Sequence, residues 1–88
     1  MDQTTTRYFL TYNSVKLPLK LVNEITETEL NHRNFYYRGI FADTGQLLHC
    51  QKIVYGEVES EHHYRYGDNG VLVWAQISED DEVREIEM

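Results

Sequence analysis

Residues 35–77 are punctuated at short, regular intervals. Asp43-Thr44-Gly45 and Asp68-Asn69-Gly70 each put a glycine where a hairpin loop needs a left-handed residue, and Tyr55-Gly56 divides the stretch between them. The intervening segments, 35–42, 46–55, 57–66 and 71–77, are rich in aromatic and β-branched residues. Turns this close together leave no room for the long crossovers of parallel sheets. The stretch is therefore constrained to antiparallel strands in hairpins.

The first third of the chain reads similarly. Residues 7–12 are strand formers, and Asn13-Ser14 is a turn signal. Residues 15–22 alternate, with Val15, Leu17, Leu19 and Leu21 on one side and Lys16, Pro18 and Lys20 on the other. Pro18 has no N–H, so this strand is expected at an edge or beside a bulge. Thr26-Glu27-Thr28-Glu29 has the form of a capping box and predicts a short helix near 26–33. The fold class expected is mainly β, with α+β as the variant: six antiparallel strands in a hairpin meander and one short helix.

The turn at Tyr55-Gly56 predicts a register. Val54 then faces Glu57, Ile53 faces Val58, Lys52 faces Glu59 and His49 faces His62, with Gly39 beside His49. One face becomes aromatic, with His49 and His62 as a central polar cluster. The other carries Glu57, Glu59, Glu61, His63 and Arg65, and Cys50 falls opposite Glu61. The last strand is apolar on both sides. Val71, Val73, Trp74, Ala75 and Ile77 thus become the candidate interaction surface, to be covered by the first hairpin, the helix, a second copy of the chain or a partner protein.

Charge is distributed unevenly. The net charge is −7, and the last ten residues hold six acids against one Arg. The expected organisation is one small β-rich domain over 1–78 and a disordered acidic tail over 79–88. Nucleic-acid binding through phosphate contacts is disfavoured, because Arg7, Arg38 and Arg65 are scattered rather than clustered. The single Cys50 excludes an internal disulfide, and residues 1–6 lack the basic-then-apolar pattern of a signal peptide. No apolar run approaches the ~20 residues of a membrane span. A cytoplasmic location is expected.

Motifs for chemistry are sparse. His49 and His62 facing each other supply half of a tetrahedral metal site, and neither CxxC nor HxxxH spacing occurs. Cys50 has no base that would lower its pKa, and Gly-rich phosphate loops and nucleophile elbows are absent. The expectation is no catalytic residue, no metal and no cofactor.

Two resemblances add to this. Phe41-Ala42-Asp43-Thr44-Gly45-Gln46-Leu47 and Tyr66-Gly67-Asp68-Asn69-Gly70-Val71-Leu72 share an aromatic-x-Asp-x-Gly-x-Leu pattern. It resembles the hairpin unit of tyrosine–aspartate (Rhs-type) repeats. Arg7-Tyr8-Phe9-Leu10-Thr11-Tyr12, residues 15–22, Asn31-x-Arg33-Asn34 and residues 54–59 together resemble a small uncharacterised bacterial protein family. That resemblance implies a bacterial cytoplasmic protein and supplies no activity. The function expected is non-enzymatic: a protein-binding regulator, adaptor or inhibitor acting through an exposed β surface. Two alternatives stand beside it. One is an acidic inhibitor that imitates nucleic acid and acts on a host defence or DNA-binding protein. The other is a small-ligand binder or enzyme with a pocket near Gly39, His49 and His62.

Overall fold

The computed structural model describes residues 3–13 and 16–88. Seven strands form one antiparallel sheet: β1 (Thr4–Tyr12), β2 (Leu21–Ile25), β3 (Phe35–Ala42), β4 (Leu47–Val54), β5 (Glu57–Tyr66), β6 (Leu72–Glu79) and β7 (Glu82–Glu87). Their order is β2-β1-β3-β4-β5-β6-β7, so β2 and β7 are the edges. From β3 onward every connection is a hairpin, as the turn residues dictate. Gly45 and Gly70 have φ of 93° and 81°. Each closes a loop with the same two bonds, Gly45 N to Ala42 O and Ala42 N to Gln46 O, and Gly70 N to Gly67 O and Gly67 N to Val71 O. The 25-residue internal match is therefore a hairpin loop used twice.

Three parts of the sequence reading need correction. Residues 16–20 are not strand, and the strand near them is β2 at Leu21–Ile25. (The predicted turn at Ser14 and the start of that strand at Val15 lie outside the described residues.) Pro18 cannot donate to a ladder. Instead Leu17, Leu19 and Leu21 pack on a buried cluster of Leu47, Cys50, Tyr64, Leu72 and Ala75, so their alternation serves a segment lying across the sheet. The helix is a 3-10 turn over Glu27–His32, and Thr26 caps it with its carbonyl, which accepts from Glu29 N, not with its hydroxyl. Residues 82–87 form β7 rather than a disordered tail, paired with β6 from Glu79↔Glu82 to Trp74↔Glu87. The turn between them is Asp80-Asp81, both left-handed at φ 49° and 66°, a conformation that Asp tolerates better than most residues.

Three bulges then decide which side chains share a face. Leu48 is extra on β4 between the Phe41↔Leu47 and Ile40↔His49 pairs. Glu59 is extra on β5 between Ile53↔Val58 and Lys52↔Ser60. Val73 is extra on β6 between Tyr66↔Leu72 and Arg65↔Trp74. Each extra residue reverses the in–out parity beyond it. Leu72, Ala75 and Ile77 consequently lie buried on one side despite their uneven spacing. The covered face holds Phe9, Leu47, Cys50, Tyr64, Leu72, Ala75 and Ile77, each under 9% exposed. Gly39 belongs there because Leu21, Phe41 and Leu47 fill the space beside it, and a Cβ would stand 2.7 Å from Leu21 Cδ1.

Candidate functional site

The pairing of His49 with His62 does not form. The extra residue Glu59 shifts the β4–β5 register by one, so His49 pairs with His63 and Cys50 pairs with His62, while the Leu48 bulge sets His49 beside Ile40 rather than Gly39. On the covered face, His62 Nδ1 lies 2.7 Å from Tyr64 Oη, which accepts from Leu19 N at 3.3 Å. Burial holds the His62 pKa below the usual imidazole value and pushes that of Tyr64 above the usual phenol value. Cys50 is 2% exposed, and burial raises its thiol pKa to about 12. With the space at Gly39 filled and the two histidines on opposite faces, the pocket anticipated around Gly39, His49 and His62 has no place in this fold.

The second face carries a polar belt across its middle. By register it runs Arg38↔Gln51↔Glu61↔Ser78↔Val83, with the row Ile40↔His49↔His63↔Gln76↔Glu85 beside it. Arg38 donates to Gln51 Oε1, from Nε at 2.7 Å. Gln51 Nε2 donates to Glu61 Oε2 at 2.6 Å. Glu61 also meets two imidazoles, His49 Nε2 at 2.9 Å and His63 Nε2 at 3.4 Å. Burial opposes the Glu61 charge, but the Gln51 amide and the two histidines outweigh it and keep its pKa below the ordinary carboxylate value. Tyr8 and Tyr36 meet edge to face at 5.9 Å on this same face, beyond Arg38.

An acidic concavity adjoins the belt. Glu59, Glu61, Glu79, Asp80, Asp81 and Glu82 line an open groove of about 500 Å³, with Val58 and Val83 at its walls. Val58 and Val83 are 49% and 61% exposed. The bulge at Glu59 and the turn at Asp80-Asp81 bring acids from both strand pairs to one end of the sheet. Sequence reasoning missed this groove because it took 79–88 for a tail. The available signal was a two-residue Asp-Asp turn flanked by Glu79 and Glu82.

The candidate interaction residues on β6 divide. Ala75 and Ile77 are core, at 0% and 7% exposure, and are unable to contact a partner. Val71 and Val73 are exposed, and Trp74 is half-buried beneath the Arg65 guanidinium, 4.4 Å from its ring centroid. The apolar last strand is explained from within the chain: β7 pairs with its outer edge, and the 16–20 segment covers its inner side.

The fold and site define a single-sheet, antiparallel β domain with one covered face, one polar face and an acidic end. The chain belongs to a protein family of unknown function, DUF6156, whose family model matches residues 1–88. That match is consistent with the expected uncharacterised family and lends no support to the Rhs-type resemblance. No curated protein and no solved structure matches the chain. Among the described residues, no helix is long and apolar enough to cross a membrane.

Proposed function

We propose that the protein is a non-enzymatic protein-binding module that takes a basic surface of its partner into the acidic end of the sheet. The observation that carries this is the groove itself. Six carboxylates converge there with Val58 and Val83, and no Lys or Arg lines it. Such a field attracts Lys- and Arg-rich surfaces and speeds their encounter, while the two exposed valines supply apolar contact. A bacterial cytoplasmic setting belongs to this reading.

The ordered placement of the acids favours a narrower form of the same reading. Carboxylates held in β7 and its turn, rather than on a mobile tail, present fixed negative charge of the kind a nucleic-acid-binding partner recognises. An inhibitor that imitates nucleic acid would use them so.

The test is affinity capture from the native host with wild type and a Glu59→Lys, Asp80→Lys, Glu82→Lys variant. The expected result is a basic partner captured by wild type, released by salt, and lost to the variant. DNA competing for the same partner supports the narrower form. Retention of the partner by the variant, or turnover of a small molecule by the purified protein, contradicts the proposal.

A further inference from the structure

The His49–Glu61–His63 group has a geometry that the hydrogen-bond network does not account for. The imidazoles of His49 and His63 are cross-strand partners stacked at 4.2 Å with a 16° interplanar angle. Glu61 lies two residues before His63 on β5, hence on the same face. One donor atom from each of the three side chains falls within 4.8 Å of the others. His49 Nε2 is shielded from solvent and has no aligned hydrogen-bond partner. It lies 2.9 Å from Glu61 Oε2, so the contact is close but misdirected.

The surroundings fit a ligand set. Gln51 fixes the Glu61 carboxylate and is itself fixed by Arg38. Side chains that orient a ligating carboxylate in this way are a regular part of metal sites. Two imidazole nitrogens and one carboxylate suit borderline divalent ions, bound at roughly 2.0–2.2 Å. Donors at such distances from a common ion stand roughly 3–3.6 Å apart, so binding requires the two imidazoles to tilt out of their stack until both in-plane lone pairs meet the ion.

We propose that His49, Glu61 and His63 bind a divalent transition metal of the Zn²⁺ class, leaving a coordination position open toward the polar face. The expectation of no metal rested on His49 facing His62; the Glu59 bulge replaces that pair with a three-ligand set. The metal would tie β4 to β5 beside the acidic groove. The site shares Glu61 with the groove but needs no partner, so its test does not depend on the protein-binding reading.

The experiment is calorimetric titration of the chelator-treated full chain with ZnCl₂, read beside ¹⁵N NMR of the histidine rings. One equivalent is expected to bind, with the His49 and His63 ring nitrogens shifting and those of His32 and His62 unmoved. Gln51→Ala is expected to weaken binding about 10–100-fold, and His49→Gln, His63→Gln and Glu61→Gln by more. His62→Gln, on the covered face, is the control and should bind as wild type does. The ring shifts are read on wild type, so the test survives a variant that fails to fold. No saturable binding, or shifts centred on His32 or His62, overturns the proposal.

Discussion

Replacing Tyr64 by Phe tests how the 16–20 segment is held on the sheet. Tyr64 is 4% exposed, and its hydroxyl joins Leu19 N at 3.3 Å to His62 Nδ1 at 2.7 Å. Phe keeps the ring packing on Leu47, Cys50, Leu72 and Ala75 but leaves both polar groups without that partner. Each such loss costs about 1–3 kcal/mol when the group stays dry. Leu19 is half-buried and recovers some hydration, so about 2 kcal/mol in all is expected. An 88-residue domain has only about 4–13 kcal/mol of stability, so the change is large. Urea denaturation should show it as a lower midpoint with an unchanged slope, and melting should fall by about 8–16 °C. Tyr66→Phe, which removes one bond from the Tyr66 hydroxyl to Leu47 O, should cost less, about 0.5–1.5 kcal/mol. A Tyr64→Phe variant within 0.5 kcal/mol of wild type, on the order of a neutral surface change, would refute the placement of Leu19 over the covered face.

Other predictions follow from the same packing and turns. Gly39→Val should destabilise by about 1–3 kcal/mol in urea titrations, because Leu21, Phe41 and Leu47 must move to admit the side chain. Asp81→Gly should stabilise by about 1 kcal/mol, since it relieves a left-handed non-glycine residue, and a rise in melting temperature checks it. Cys50 should resist thiol reagents in the native protein and react only as the chain opens. Its folded pKa of about 12 lies above the 9.0 of an unperturbed thiol, so the unfolded chain loses its proton first. The thiol's contribution to stability therefore falls as pH rises from 9 toward 12, by at most about 1.4 kcal/mol per unit; Cys50→Ala removes that share between pH 9 and 10 and leaves the fall above 10 that buried Tyr64 adds.

Particular residues show how much of this was legible in the sequence. The bounds of β3 and β5 follow from their turns, because Gly45, Gly56 and Gly70 can hold positive φ without strain. Val54↔Glu57, Ile53↔Val58 and Phe41↔Leu47 follow from those turns as well. The faces beyond Leu48, Glu59 and Val73 do not, since a bulge leaves composition unchanged while exchanging inside for outside. A trace of it was present: Leu47 and Cys50 are both buried three residues apart, a spacing that an unbulged strand does not bury on one face. Lys52 and Glu59 meet at 3.2 Å as expected, although the Cα partner of Lys52 is Ser60. Charge density concealed β7, whose acids read as a solvated tail until Asp80-Asp81 is recognised as a turn. The site followed the same logic. His49 and His62 were read as a facing pair, and the Glu59 bulge gave His49 a different partner, His63.

The acidic groove exists because β7 holds a string of acids in an ordered strand. NMR of the native protein tests it directly. A two-residue Asp80-Asp81 turn makes Ser78/Val83, Gln76/Glu85 and Trp74/Glu87 the close, non-hydrogen-bonded pairs of the ladder. The bond from Met88 N to Val73 O fits that phase. The prediction is strong Hα–Hα contacts within these three pairs and slowed amide exchange at residues whose N–H groups bond across β6 and β7. Random-coil shifts and unprotected amides from 80 to 88 would contradict it, and with it the acidic groove.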